Sequence, residues 1–185
     1  DISKGPVVFE VPPRGRGHFY DAGMRAYMDT GDVGPDQGKG GKYLVVAPDY
    51  KGEIPKGYFI VRPLHSNLII LATRTFPASE GSVEAAVVLA KTIKWYYLFE
   101  KDNPPENTKV LIGDKPYSQE WPRNEEAFVW LAEAFNRDKV PASGLAHMGN
   151  MRRLGLVKGK PFSPDERAQK ILKRAAGTAE AMGLS

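Results

Sequence analysis

Apolar residues follow two different patterns along the 185-residue chain. The first half carries short β-branched and aromatic runs, each stopped by proline or glycine. Val7-Val8-Phe9-Glu10-Val11 ends at Pro12-Pro13. Gly15 and Gly17 read as a turn, and His18 to Met28 as one mixed strand kinked at Gly23. A glycine-rich loop, Gly31 to Lys42, leads into Tyr43-Leu44-Val45-Val46-Ala47, stopped by Pro48. A turn region from Asp49 to Gly57 precedes strands at Tyr58 to Arg62 and Asn67 to Thr75. Short strands with Gly/Pro punctuation predict antiparallel pairing in a sandwich or jelly roll, because nothing alternates strand with helix as a doubly wound sheet does.

The second half changes period. Ser79 or Ser82 is placed to cap a helix near 82–91, through Val83 to Ala90. Ile93 to Phe99 reads as a strand, since its Trp95-Tyr96-Tyr97 centre suits a pleated surface. Lys109 to Ile112 reads as a further short strand. Asn124 begins a helix in which Phe128, Leu131, Ala132 and Phe135 fall at i, i+3, i+4 and i+7, one apolar stripe. Pro141 stops the chain before a short helix near Leu145 to Leu154. Ser163 is the expected N-cap of a last helix, with Pro164 at its first position and Glu166 three residues after the cap. That helix carries Ile171, Leu172, Ala175 and Ala179 on one side. The expected class is therefore α+β: an antiparallel, jelly-roll-like β-sandwich domain at 1–122 and a helical extension at 123–185.

Composition narrows the class without naming a function. Hydrophobic content of 42% supports a packed core, and Gly 19 with Pro 15 exceeds average usage while staying below the about 25–30% of disordered chains. The net charge of +4 is small, but basic residues gather between Met151 and Arg174 (Arg152, Arg153, Lys158, Lys160, Arg167, Lys170, Lys173, Arg174) against only Asp165 and Glu166. Without an aromatic platform or a nucleic-acid motif, this reads as a solvated helical face rather than a nucleic-acid site. The absence of cysteine removes disulfides, thiolate metal sites and a cysteine nucleophile. No run of about 18 apolar residues spans a membrane. The chain opens at Asp1 almost directly into a strand, the expected appearance of a processed or trimmed chain.

Candidate chemistry is sparse. The loop Gly34-Pro35-Asp36-Gln37-Gly38-Lys39-Gly40-Gly41-Lys42 has glycines that free backbone N–H groups, and lysines that supply charge. It fails the phosphate-loop spacing, and a strand rather than a helix follows it. A compact structural connection is the favoured reading; the functional one has Asp36 and Lys39 presented to a small polar ligand. His18, His65 and His147 are too scattered for a metal site. Nucleophile motifs are absent. Carboxylates for acid–base work could come from Glu10, Asp21, Asp29, Asp32 and Asp36. Arg62 and Arg74 lie near strand ends, where each either pairs with a carboxylate or offers a fork to an anion.

The glycine loop through Tyr43-Leu44, then Pro48-Asp49-Tyr50-Lys51-Gly52-Glu53-Ile54-Pro55-Lys56-Gly57-Tyr58, resembles the domain-of-unknown-function family numbered 1254. The early strand Gly5 to Pro12 and the segment Leu154-Gly155-Leu156-Val157-Lys158-Gly159-Lys160-Pro161-Phe162 extend the likeness over almost the whole chain. The resemblance implies longer, secreted or envelope-associated bacterial proteins with viral relatives. It also implies a preceding helical and strand region and a second β-rich domain of the family numbered 1214. Neither flank is in this sequence, so a central portion of a longer protein is expected. The family label implies no established activity.

Taken together, the expectation is a binding or structural module of an envelope-type protein, secreted or periplasmic. Asp36, Lys39, Arg74 and His65 are its candidate contacts to a small polar or anionic ligand. No metal and no cofactor are expected. The partners expected are further copies of the chain or its own flanking domains. The alternative is a hydrolase or carbohydrate-active enzyme using carboxylates and histidines on the sheet face.

Overall fold

The structure is a computed structural model and describes residues 1–21, 24–76, 81–106, 122–140 and 144–183. The chain divides into two compact units, Asp1–Ile112 and Gly113–Ser185. The described part of the first unit holds β1 (Val7–Val11), β2 (Gly15–Asp21), β3 (Ala26–Thr30), β4 (Gly41–Val45), β5 (Phe59–Val61), β6 (Ile69–Thr75), α1 (Val83–Ala90) and β7 (Lys94–Tyr97). The described part of the second holds α2 (Glu126–Arg137), α3 (Leu145–Arg153) and α4 (Glu166–Gly183). The class is α+β, strands first and helices after. The predicted strand at Lys109 to Ile112, the stop at Pro141 and the possible cap at Ser79 lie outside the described residues.

The strands form two sheets, ordered β5-β4-β1-β7 and β3-β2-β6. Every pairing is antiparallel except β4 with β5, which run parallel. That pair departs from the all-antiparallel expectation. The 46–58 connection is long enough to carry the chain back before β5 begins, which a hairpin could not do. Both sheets feed one core: Val7 and Val11 from β1, Phe19 from β2, Tyr43 and Val45 from β4, Val61 from β5 and Ile69 from β6. Phe19 meets Phe9 edge-on at 5.3 Å and Tyr43 at 5.3 Å, so aromatic rings link the sheets at the centre.

The opposite face of the four-stranded sheet is also covered. Val8, Leu44, Val46 and Tyr96 pack there under Tyr50, Ile54, Tyr58 and Ile60. A sheet buried on both faces needs continuous apolar runs, which is what Val7-Val8 and Leu44-Val45-Val46 supply. The three-stranded sheet alternates instead: Phe19 and Asp21 are buried while Arg16, His18 and Tyr20 are not. One of its faces is therefore open.

Two expectations are corrected here. His18 to Met28 is not one kinked strand but parts of β2 and β3, an antiparallel pair with a register shift after Phe19; Gly23 lies outside the described residues. Asp21 turns the chain. Its N–H donates to the Arg25 carbonyl at 3.2 Å, its carbonyl accepts from the Met24 N–H at 2.9 Å, and Met24 sits at φ 59. Gly15 and Gly17 are not a turn but the start of β2. The turn precedes them, at Pro12 to Arg14 with Arg14 at φ 64. Glycine is needed at 17 because a Cβ there would lie 1.9 Å from the Ala72 carbonyl oxygen of β6.

In the helical unit the apolar stripe of α2 is as read, with Ala132 buried and Phe128, Leu131 and Phe135 half-buried. The cap of α4 is corrected: Asp165, not Ser163, accepts the N–H of Ala168, at 2.7 Å, and the helix starts at Glu166 rather than Pro164. Lys158 ends α2. Its ammonium donates to the carbonyls of Phe135 at 2.7 Å and Asn136 at 3.0 Å, and also to that of Asp138. Gly159 N–H donates to Asn136 Oδ1 at 2.7 Å, and Asn136 Nδ2 donates to the Lys160 carbonyl at 3.1 Å. The Lys-Gly-Lys segment is thus a clasp on the C-terminal carbonyls of α2, where a cation and donors are both favoured.

Candidate functional site on the open sheet face

The glycine loop is held from inside. Asp36 is buried, and its Oδ1 accepts from Gly31 N–H at 2.7 Å and Tyr43 Oη at 2.6 Å while Oδ2 accepts from Gly40 N–H at 3.0 Å. Gln37, Gly38 and Gly40 all take positive φ around it. Burial first, and the Asp36 hydrogen bond next, hold the Tyr43 hydroxyl far above its ordinary value. Asp36 is therefore a loop-closing residue and is not presented to a ligand with Lys39, whose side chain is exposed. The structural reading of the loop accounts for its glycines.

His65 and Arg74 are not brought together either. His65 is half-buried in the connection before β6, with no hydrogen-bond partner for Nδ1 among the described residues. Arg74 is exposed near the far end of β6, five residues beyond its first residue, Ile69; that stretch alone spans about 17 Å. Nor are the buried carboxylates available. Asp21 accepts from Arg25 N–H at 3.2 Å, Arg25 Nε at 2.9 Å and Tyr27 Oη at 2.6 Å. Burial, then that carboxylate, push the Tyr27 hydroxyl up to about 12.

A third polar group sits on β1, β4 and β7. Glu10 accepts from Tyr96 Oη at 2.6 Å and from Lys42 Nζ at 2.9 Å. Burial pushes Glu10 up, but the hydrogen bonds from Lys42 and Tyr96 and the charges of Lys42 and Lys94 outweigh it, so its pKa is lowered. Burial and the same carboxylate raise Tyr96 to about 12, and the hydrogen bond to Glu10 raises Lys42. Tyr96 is therefore held protonated, as a donor and not as a base. Among the described residues, no three His, Asp or Glu side chains gather as a metal site.

The open face of the three-stranded sheet is different, because one of its two arginines, Arg74, has no ion pair among the described residues. Strand register places Arg16 of β2 directly opposite Arg74 of β6, and His18 opposite Ala72 on one side and Asp29 of β3 on the other. Tyr20 follows on the same face, its ring 5.1 Å from the His18 imidazole. Arg16 is ion-paired to Asp32 and lies 5.3 Å over the Phe76 ring. Arg74 has no ion pair among the described residues. Like charges directly opposite on neighbouring strands destabilise the pair. Sequence reasoning reached Arg74 but missed Arg16 and Tyr20. The signal was the alternation Arg16-x-His18-x-Tyr20, which is hidden once Gly15 and Gly17 are taken for a turn.

A family profile described as protein of unknown function (DUF1254) matches residues 1–97. The chain belongs to this family. The match covers both sheets, β1 through β7, so all of the residues on the open face fall inside it. No curated protein matches the chain. The crystal structure of the VPA0106 protein from Vibrio parahaemolyticus is similar, with a TM-score of 0.63 at 20% identity, covering 99% of this chain and 45% of that one. At that identity the likeness shows a shared fold alone. The chain spans less than half the length of that relative.

Proposed function

We propose that the chain is a non-catalytic binding module that takes a small anionic ligand on the open face of its three-stranded sheet. The observation that carries this reading is the register of Arg16 against Arg74, with no carboxylate paired to Arg74 among the described residues. An oxyanion bound by Arg74 offsets the repulsion between the two guanidinium groups, and Arg16 joins it by sharing its pairing with Asp32. His18 and Tyr20 add polar groups beside them. Phosphate and small dicarboxylates have the size and charge for such a face. A secreted or periplasmic setting belongs to the same proposal, and fractionation of the native protein tests it.

A hydrolase on the same face is the second reading, favoured by the opposition of His18 and Asp29. Among the described residues no hydrogen bond or ion pair joins the two. An open strand surface also does little to exclude water from a reacting centre. Binding therefore accounts for the face better than turnover.

Calorimetric titration of the chain with inorganic phosphate and with succinate tests the proposal. Saturable heat that Arg74→Ala reduces at least tenfold in affinity supports it. Absence of saturable binding, or binding indifferent to Arg74→Ala, refutes it. Hydrolysis of a screened ester or glycoside that His18→Ala abolishes would favour the enzyme.

A further inference from the structure

Helix α1 is apolar yet carries no buried residue. Its sequence from Val83 to Ala90 contains one charged side chain, Glu84, and Lys91 follows as its C-cap. A helix that is apolar on most sides is ordinarily covered by something. Its attachment to the sheet uses one side: Thr75 Oγ1 of β6 donates to the Ala86 carbonyl at 2.8 Å, and Ala86 and Leu89 are the half-buried positions.

The opposite side has a definite pattern. Glu84, Val87, Val88 and Lys91 stand at i, i+3, i+4 and i+7, within about 100° of arc. Ala86 and Leu89 lie about 150° from the middle of that arc. Val87 is 47% and Val88 65% exposed, and Glu84 and Lys91 are exposed with no ion pair among the described residues. The stripe reads acid, apolar, apolar, base.

Such a stripe is complementary to itself when two copies run antiparallel. The midpoint between Glu84 and Lys91 falls between Val87 and Val88. A two-fold axis through that point sets valine against valine at the centre and Glu84 of each copy beside Lys91 of the other. From this we infer that α1 is the contact of a two-fold homodimer, its valines closed by two reciprocal Glu84–Lys91 pairs. An isologous interface requires a self-complementary patch of this kind. No other class of partner is specified by the pattern: a membrane surface would not be matched by Glu84, and a nucleic acid would not be matched by the valines.

The helix is about 12 Å long, so the contact falls below the about 800 Å² per partner of a stable complex. The dimer is accordingly weak and concentration-dependent, and salt weakens it further.

Sedimentation equilibrium of the 185-residue chain between about 10 and about 500 μM tests the inference. The weight-average mass is expected to rise from 20.4 kDa towards twice that value. Lys91→Glu sets four carboxylates along the seam and should weaken association about tenfold or more. The exchanged variant Glu84→Lys/Lys91→Glu keeps the self-complementarity and should restore it. All the substituted positions are exposed, and unchanged circular dichroism will show that each variant folds. A chain that stays monomeric throughout overturns the inference. So does a dimer indifferent to Lys91→Glu, failure of the exchanged variant to recover, or cosedimentation of the monomer with phosphatidylcholine vesicles in place of self-association.

Discussion

Tyr43 Oη donates a 2.6 Å hydrogen bond to Asp36 Oδ1 and closes the glycine loop onto the first residues of β4. The same carboxylate holds the N–H groups of Gly31 and Gly40, so three donors depend on one buried side chain. Asp36→Ala leaves all three unsatisfied and is expected to cost about 2–5 kcal/mol. Tyr43→Phe removes one bond and is expected to cost about 1–2 kcal/mol. The two losses should be less than additive, because the second substitution removes a group already orphaned. Urea unfolding of the single and double variants measures this. A double variant whose loss equals the sum would show that the pair is not coupled.

Alkaline pH should loosen the strand-rich unit through its buried tyrosine hydroxyls. Tyr27 and Tyr96 titrate at about 12 in the folded protein against an ordinary 10. Folded values above unfolded ones mean that the unfolded chain loses these protons first as pH rises. The stability they contribute is fully present below pH 10 and is lost between about 10 and about 12. Phenolate absorbance at 295 nm should rise late and together with loss of circular dichroism. Tyr27→Phe and Tyr96→Phe should each remove part of the late phase.

How far the sequence foretold this structure follows from which residues carried a local signal. The apolar runs at Val7 to Val11 and Leu44 to Val46, the Ser82 cap and the α2 stripe were legible because each is decided by its own segment. Gly17 was not legible, because the demand for glycine comes from the Ala72 carbonyl of another strand. Arg16 was lost with it. Asp36 was noticed for its chemistry, but only the fold shows that its oxygens point inward to Gly31, Gly40 and Tyr43. The parallel β4–β5 pair is likewise a non-local choice.

Lys158 should stabilise the helical unit rather than bind an anion. Its ammonium serves the carbonyls of Phe135, Asn136 and Asp138 at the C-terminal end of α2. Lys158→Met keeps the aliphatic stem and removes the donors, with an expected cost of about 1–2 kcal/mol. Thermal unfolding followed by circular dichroism should show the loss. Amide exchange should quicken most in the last turn of α2. Unchanged exchange there would contradict the clasp.

The N-terminus of α4 offers a direct discrimination between two neighbouring residues. Asp165 accepts the N–H of Ala168 at 2.7 Å. Asp165→Ala is expected to cost about 1 kcal/mol, and Ser163→Ala close to nothing. The reverse order, read from the two melting temperatures, would restore Ser163 as the cap.

The central claim, that Arg16 and Arg74 form an anion-binding face, is tested most directly by following the arginine Nε–Hε resonances of the chain during titration with inorganic phosphate. The Arg74 resonance, and to a smaller degree that of Arg16, should shift in a saturable way, while Arg62 and Arg137 stay in place. An Arg74 resonance that does not move at saturating phosphate, or a uniform drift of every arginine with ionic strength, would contradict it.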